Sequence, residues 1–329
     1  AITLRGSFGH TRKPRYHHMS LAPERQSQPA HILDTVIHRI GQIVLGKERQ
    51  ARLSLACLLA RGHLLIEDLP GVGKTTLAHV LAKVLGLHFK RIQFTADLLP
   101  ADILGVSIYQ PDNKNFVFHP GPLFAQLVLA DEINRATPKT QSALLEAMEE
   151  RQVTADGVTH KLPEPFFVIA TQNPHHLIGT FPLPESQLDR FLMRIEMGYP
   201  DRAAERALLK GRDRRELVES LQPVISADKL ASLQQLATRV HVAEPLLDYV
   251  QNLLDATRRA GEFAEGLSPR AGLSLLAAAR AWALLSGRDM VLPEDVQVVA
   301  PCVIGHRLRP AGGGRTVSVA RLLESVPIP

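Results

Sequence analysis

One stretch of the 329-residue chain, His63 to Lys83, reads HLLIEDLPGVGKTTLAHVLAK and constrains the fold more than any other. An apolar run at His63 to Ile66 enters a turn rich in Pro and Gly, and the turn leads into a segment whose apolar residues Leu77, Val80 and Leu81 fall at helical spacing. That strand, loop, helix order is the order of a phosphate-binding loop. Gly71 and Gly73 have no side chains to keep backbone N–H groups from phosphate oxygens, and the helix starting beside Lys74 offers its unpaired N–H groups and positive dipole end to an anion. Lys74 is expected to reach the β- and γ-phosphates, and Thr75 to ligate magnesium. The strict pattern begins with Gly where this chain has Asp68. That position lies at the strand exit, away from the phosphates, so a changed turn with retained binding is expected.

The length and the 45% hydrophobic content suffice for about two domains with a sizeable core. No apolar run approaches 18 residues, so no membrane span is expected. Cys57 and Cys302 lie far apart and outside any C-x-x-C pair, which leaves a disulfide framework or zinc site unsupported and fits a reducing cytoplasm. A net charge of +5 and a pI of about 9.4 would suit a nucleic-acid binder, but Arg5, Arg12, Lys13 and Arg15 carry four of those charges before Met19. The folded part is therefore near neutral, and no nucleic-acid partner is expected. Residues 1–28 read as a disordered basic tail, consistent with an organellar targeting segment or with an extension preceding Met19.

Beyond the tail, Ile32, Leu33, Val36, Ile37 and Ile40 mark an amphipathic helix, and a short segment, Ile43 to Leu45, leads to a second helix ending at Leu59. Phe89 to Phe94 reads as a strand. Two hairpins are expected, at Gly105–Leu123 and at Arg151–Leu162 with its turn at Asp156-Gly157. The run Leu127 to Ala130 ends in Asp131 and Glu132. Fully buried parallel strands are continuous apolar runs with ligands gathered at their carboxyl ends, so Asp131 is expected to hold Mg²⁺ and Glu132 to deprotonate the attacking water. Phe166 to Ala170 is a further buried strand that ends at Asn173, where an amide can hold that water. A short helix at Pro184–Phe191 carries Arg190. From Pro200 onward the periodicity is helical throughout, a separate all-α domain in which Arg270 opens one helix. The expected organisation is an α/β nucleotide-binding core at 29–200 and an α-helical lid at 201–329.

Taken together, PGVGKT at 70–75, VLADEINRA at 128–136, IATQNP at 169–174, LPESQLDRF at 183–191 and SPRA at 268–271 resemble the MoxR family of AAA+ ATPases. The resemblance implies a P-loop core with a parallel sheet between helices, followed by a smaller all-α lid. Pro70, Gly71, Val72, Gly73, Lys74, Thr75 and Thr76 would contact ATP, with Ile43 and Val44 lining the adenine pocket. Asn173 would be the sensor 1 residue, Arg190 the arginine finger acting on the neighbouring subunit, and Arg270 the sensor 2 arginine. The two hairpins would be this clade's helix-2 and pre-sensor 1 inserts. The resemblance further implies a homo-oligomeric, hexameric ring, a protein client, and a partner bearing a von Willebrand factor A domain, in some cases in metal-centre assembly. A chelatase-type subunit or a helicase-like ring is the alternative, the latter disfavoured by the few basic residues on the hairpins.

Overall fold

The computed structural model describes residues 24–112, 114–173, 179–211, 213–259, 261–312 and 318–329. Helix α1 (Glu24–Gly41) is followed by α2 (Glu48–Leu59), strand β1 (Leu64–Glu67), α3 (Lys74–Val84), β2 (Phe89–Gln93) and the one-turn α4 (Pro100–Leu104). A hairpin, β3 (Gly105–Gln110) and β4 (Asn115–Pro120), precedes β5 (Leu127–Asp131) and α5 (Pro138–Glu150). The second hairpin, β6 (Gln152–Ala155) and β7 (Val158–Lys161), precedes β8 (Phe167–Gln172), α6 (Glu185–Leu188) and β9 (Met193–Ile195). Seven helices complete the chain: α7 (Arg202–Lys210), α8 (Arg214–Glu219), α9 (Ala227–Thr238), α10 (Glu244–Arg259), α11 (Pro269–Leu285), α12 (Pro293–Ile304) and α13 (Val319–Ser325).

Five strands form one sheet in the order β2-β5-β8-β1-β9, and every pairing within it is parallel. The expected α/β core is thus present. β5 is buried at all five positions, as a strand covered on both faces by helices must be. Because the strands share one direction, their carboxyl ends lie along a single edge and their amino ends along the opposite one. Both expected hairpins form outside the sheet, and Phe118 of one stacks on His160 of the other with ring centroids 3.9 Å apart.

One expectation needs correction. Helix α1 starts at Glu24, so residues 24–28 of the predicted tail are helical, while residues 1–23 lie outside the described part. The polar run Glu24–Gln28 has no apolar stripe to announce a helix. The expected all-α lid is present, and its buried face is continuous with that of the core. One buried cluster runs from Leu55, Leu58 and Leu59 of α2, through Leu64 and Ile66 of β1, into Leu230 and Leu233 of α9 and Leu275 and Ala278 of α11. Gln234 of α9 donates to the carbonyl of Leu58 at 2.7 Å, and Arg52 of α2 donates to the carbonyl of Leu285 while lying over the Trp282 ring.

Candidate functional site

Gly71 and Gly73 sit at φ 84° and 95°, in the left-handed region where a side chain is strained, and a Cβ at either would meet nothing within 4 Å. The two glycines are therefore required by backbone shape, and the space beside them is open to a ligand. Gly73 caps α3, which begins at Lys74 and turns its free N–H groups into a cavity of about 280 Å³. Pro70, Gly71, Gly73, Lys74, Thr75, Thr76, Asp131, Glu132 and Asn173 line it. Nine positions expected at the site from three separate stretches of sequence thus surround one space. Val72 turns aside and packs against the apolar cluster.

Asp68 stands at the strand exit, outside the set of residues at positive φ, so a glycine is not demanded there. Its carboxylate accepts from Leu69 N–H at 2.7 Å and from Gly198 N–H at 2.5 Å, tying the loop to the segment that leads into the lid. Its carbonyl accepts from Lys74 Nζ at 2.6 Å. Burial holds the Lys74 ammonium below the ordinary lysine value, while Asp68, Asp131 and Glu132 pull in the opposite direction.

The two acids are held from both neighbouring strands. Thr171 at the end of β8 donates its hydroxyl to Asp131 Oδ1 at 2.6 Å and accepts the Glu132 N–H at 2.9 Å. From β2, Arg91 pairs with Asp131 Oδ2 at 2.7 Å and donates to Gln93 Oε1, and Gln93 in turn donates to Glu132 Oε2 at 2.9 Å. Glu132 itself occupies the left-handed region at φ 57° and also pairs with Arg135. Thr171, Arg91 and Gln93 are site residues that sequence reasoning missed. Their only signal is position, since Gln93 lies opposite Asp131 in the β2–β5 register and Thr171 directly follows the β5–β8 pairing at Ala170.

Arg190 and Arg270 are elsewhere. They line a second cavity of about 470 Å³ with Arg61, His63, Glu149 and Arg307, and it shares no lining residue with the first. His63 precedes β1 and the phosphate loop follows it, so the two cavities lie at opposite ends of the same strand, separated by about 13 Å of extended chain. Arg190 Nη2 pairs with Glu149 at 2.9 Å, and Arg270 lies 3.6 Å from Glu149 and 3.8 Å from Asp189. The structure therefore does not bring Arg270 to its own phosphate loop. Ile43 and Val44 are buried in the apolar cluster, and Val44 borders a third cavity with His38 and Arg49 rather than the phosphate cavity.

These features match known proteins over both halves of the chain. Residues 63–193 fit the family described as ATPase family associated with various cellular activities, and residues 255–325 fit the AAA lid domain. Chaperone MoxR1 of Mycobacterium tuberculosis is 41% identical over 309 residues, covering 91% of this chain and 81% of its own length. The chain belongs to the MoxR family of AAA+ ATPases. An uncharacterized protein of Bacillus subtilis, YeaC, is 48% identical over 84% of this chain and 87% of its own length. A crystal structure of a candidate ATPase from Cytophaga hutchinsonii superposes with a TM-score of 0.84 at 36% identity, covering 93% of this chain and 97% of that one. Nucleotide binding and hydrolysis are what this family does, and the cavity's donors suit both. An open glycine cradle, a helix amino terminus and Lys74 meet an anion, and Thr75 and Asp131 offer the oxygen ligands that magnesium prefers. Among the described residues no helix is long and apolar enough to cross a membrane.

Proposed function

We propose that this chain hydrolyses ATP to remodel or mature protein clients, working as a homo-hexameric ring in which each nucleotide is held by one subunit and completed by the next. One observation carries the ring: the phosphate loop and the two arginines line separate cavities at opposite ends of β1, and both arginines are held in their own cavity by Glu149. The Gly71–Thr76 run would cradle the phosphates, with Thr75 and Asp131 holding Mg²⁺. Bound there, the ion supplies charge neutralisation on the β- and γ-phosphate oxygens. Glu132 takes the proton of the attacking water, whose position Asn173 fixes by its amide. Arg190 of the adjacent subunit, with Arg270 beside it, meets the charge that spreads onto the γ-phosphate oxygens. Such an arginine is worth roughly 10³ to 10⁵ in rate in other nucleotide hydrolases.

The protein client is supported by the relative named as a chaperone. A partner with a von Willebrand factor A domain, and a part in metal-centre assembly, rest on family resemblance alone. Mixing tests the shared site. Arg190→Ala and Lys74→Ala subunits should each be inactive alone, and a mixture should regain partial activity at interfaces where an intact loop faces an intact arginine. A co-assembled mixture that stays inactive refutes the shared site.

A further inference from the structure

Where the chain leaves α12, the segment His306 to Arg309 grips the segment that carries Arg190. His306 Nε2 is 3.1 Å from the Phe191 carbonyl, and Arg309 pairs with Glu185. Between them, Arg307 is the centre of the grip, with a side chain only 6% exposed. A guanidinium has five N–H donors in a fixed fork, and here all five find acceptors. Nε donates to Asp189 Oδ1 at 2.6 Å, one Nη2 hydrogen to the Asp189 carbonyl at 3.0 Å and the other to the Phe191 carbonyl at 2.9 Å. Nη1 donates to the Leu192 carbonyl at 3.3 Å and to the Val303 carbonyl.

Four of those five bonds leave the lid for residues 189–192, and they fall on both sides of Arg190. Asp189 then passes the constraint on, because its other oxygen faces Arg270 while Glu149 joins Arg270 to Arg190. A buried ion pair is a poor way to obtain stability alone, since apolar residues of similar volume often serve as well or better. Its distinctive product is a fixed arrangement of charged groups. The cluster of three arginines and two carboxylates, which lines the second cavity, carries one net positive charge.

We propose that Arg307 is a positioning residue for Arg190: by fixing the backbone of residues 189–192 and sharing Asp189 with Arg270, it presents both arginines in one arrangement to the neighbouring subunit. The proposal rests on the reading that Arg190 completes the neighbour's site. Rate is sensitive to such placement, a shift of about 1 Å costing on the order of 10²-fold.

Arg307→Lys keeps the charge beside Asp189 but replaces the fork by a point donor that cannot span the same carbonyls. Its expected signature is that of a misplaced arginine in trans. Nucleotide affinity and ring assembly stay at parental values, kcat falls by about 10²-fold, and activity returns on mixing with Lys74→Ala subunits, whose own arginine cavity is intact. Arg190→Ala runs beside it as the reference. If Arg190→Ala recovers on mixing and Arg307→Lys does not, or if Arg307→Lys loses nucleotide affinity along with turnover, Arg307 serves its own subunit's fold and the proposal is overturned. If Arg190→Ala alone keeps full activity, the shared-site reading fails and takes this one with it. Should Arg307→Lys not fold, Asp189→Asn, which keeps the acceptor oxygen and removes the charge, carries the same test. It is expected to lose about tenfold in kcat with recovery on mixing, and parental turnover would overturn the proposal.

Discussion

Lowering the pH should weaken this protein through His63, by an amount that follows from where the imidazole lies. His63 precedes β1 and is buried against Phe166 and Phe167. Its Nδ1 accepts the Val168 N–H at 3.0 Å, so the ring proton is on Nε2, which faces the Met148 carbonyl at 3.3 Å. A second proton would have to enter at Nδ1, against an N–H donor. Burial accordingly pushes the pKa from 6.5 down to about 4, with the Met148 carbonyl opposing and Arg151 adding to the shift. The unfolded imidazole takes a proton below pH 6.5 that the folded one refuses until about pH 4. Stability from this group is therefore complete above 6.5, declines by about 1.4 kcal/mol per pH unit within the window, and reaches a total loss of about 3 kcal/mol near pH 4. Urea unfolding at pH steps from 7.5 to 4.5 measures it, with His63→Gln as the comparison because an amide can both accept and donate there. His306, which burial also holds well below the usual histidine value, is common to both proteins and cancels in the difference. Parallel pH profiles for the two proteins would refute the reasoning.

Three further outcomes are expected. Lys74→Ala should abolish nucleotide binding measured with a fluorescent analogue, whereas Glu132→Gln should bind normally and lose roughly 10² to 10⁴ in turnover. Thr171→Val keeps the shape of a fully buried side chain but strands Asp131 Oδ1 and the Glu132 N–H, so urea unfolding should show a loss of about 2 kcal/mol. Asp68→Gly restores the strict loop pattern yet removes the acceptor for Gly198 N–H, and should destabilise by about 1 to 2 kcal/mol while nucleotide affinity is held.

Much of the fold and most of the phosphate cavity were legible in the sequence. β1, β5 and β8 announce themselves because strands covered on both faces must be apolar throughout, and the acids and amide that follow them inherit a position at the sheet edge. β9 escaped because it is three residues long with Arg194 in its middle. Strand order escaped as well, and with it every residue that acts across strands. Arg91 and Gln93 look like ordinary polar positions of an edge strand until β2 is known to lie beside β5. Arg270 was recognisable as a helix-opening residue, but the end of the sheet it reaches depends on how the lid packs against α2. The lid packing is itself a matter of one apolar cluster shared by distant segments, which local periodicity does not encode. Arg307 reads in sequence as a basic residue just past a helix end, and only its five acceptors distinguish it.

The opposite placement of loop and arginines along β1 also restricts symmetry. In a two-fold dimer one patch of each subunit meets the same patch of its partner, so a loop can face the partner's arginines only where both lie on that one patch. Where they lie on separate surfaces they meet head to tail, and a head-to-tail contact leaves one end unused on every finite open chain. If the arginines act across a subunit boundary, a linear trimer would thus hold two completed sites and one incomplete one, and only closure of the series completes them all. Whether the series closes or runs on as a filament is set by the rotation between neighbours, so an interface substitution that alters that angle by a few degrees would change the number of working sites without touching any of the residues that bind nucleotide.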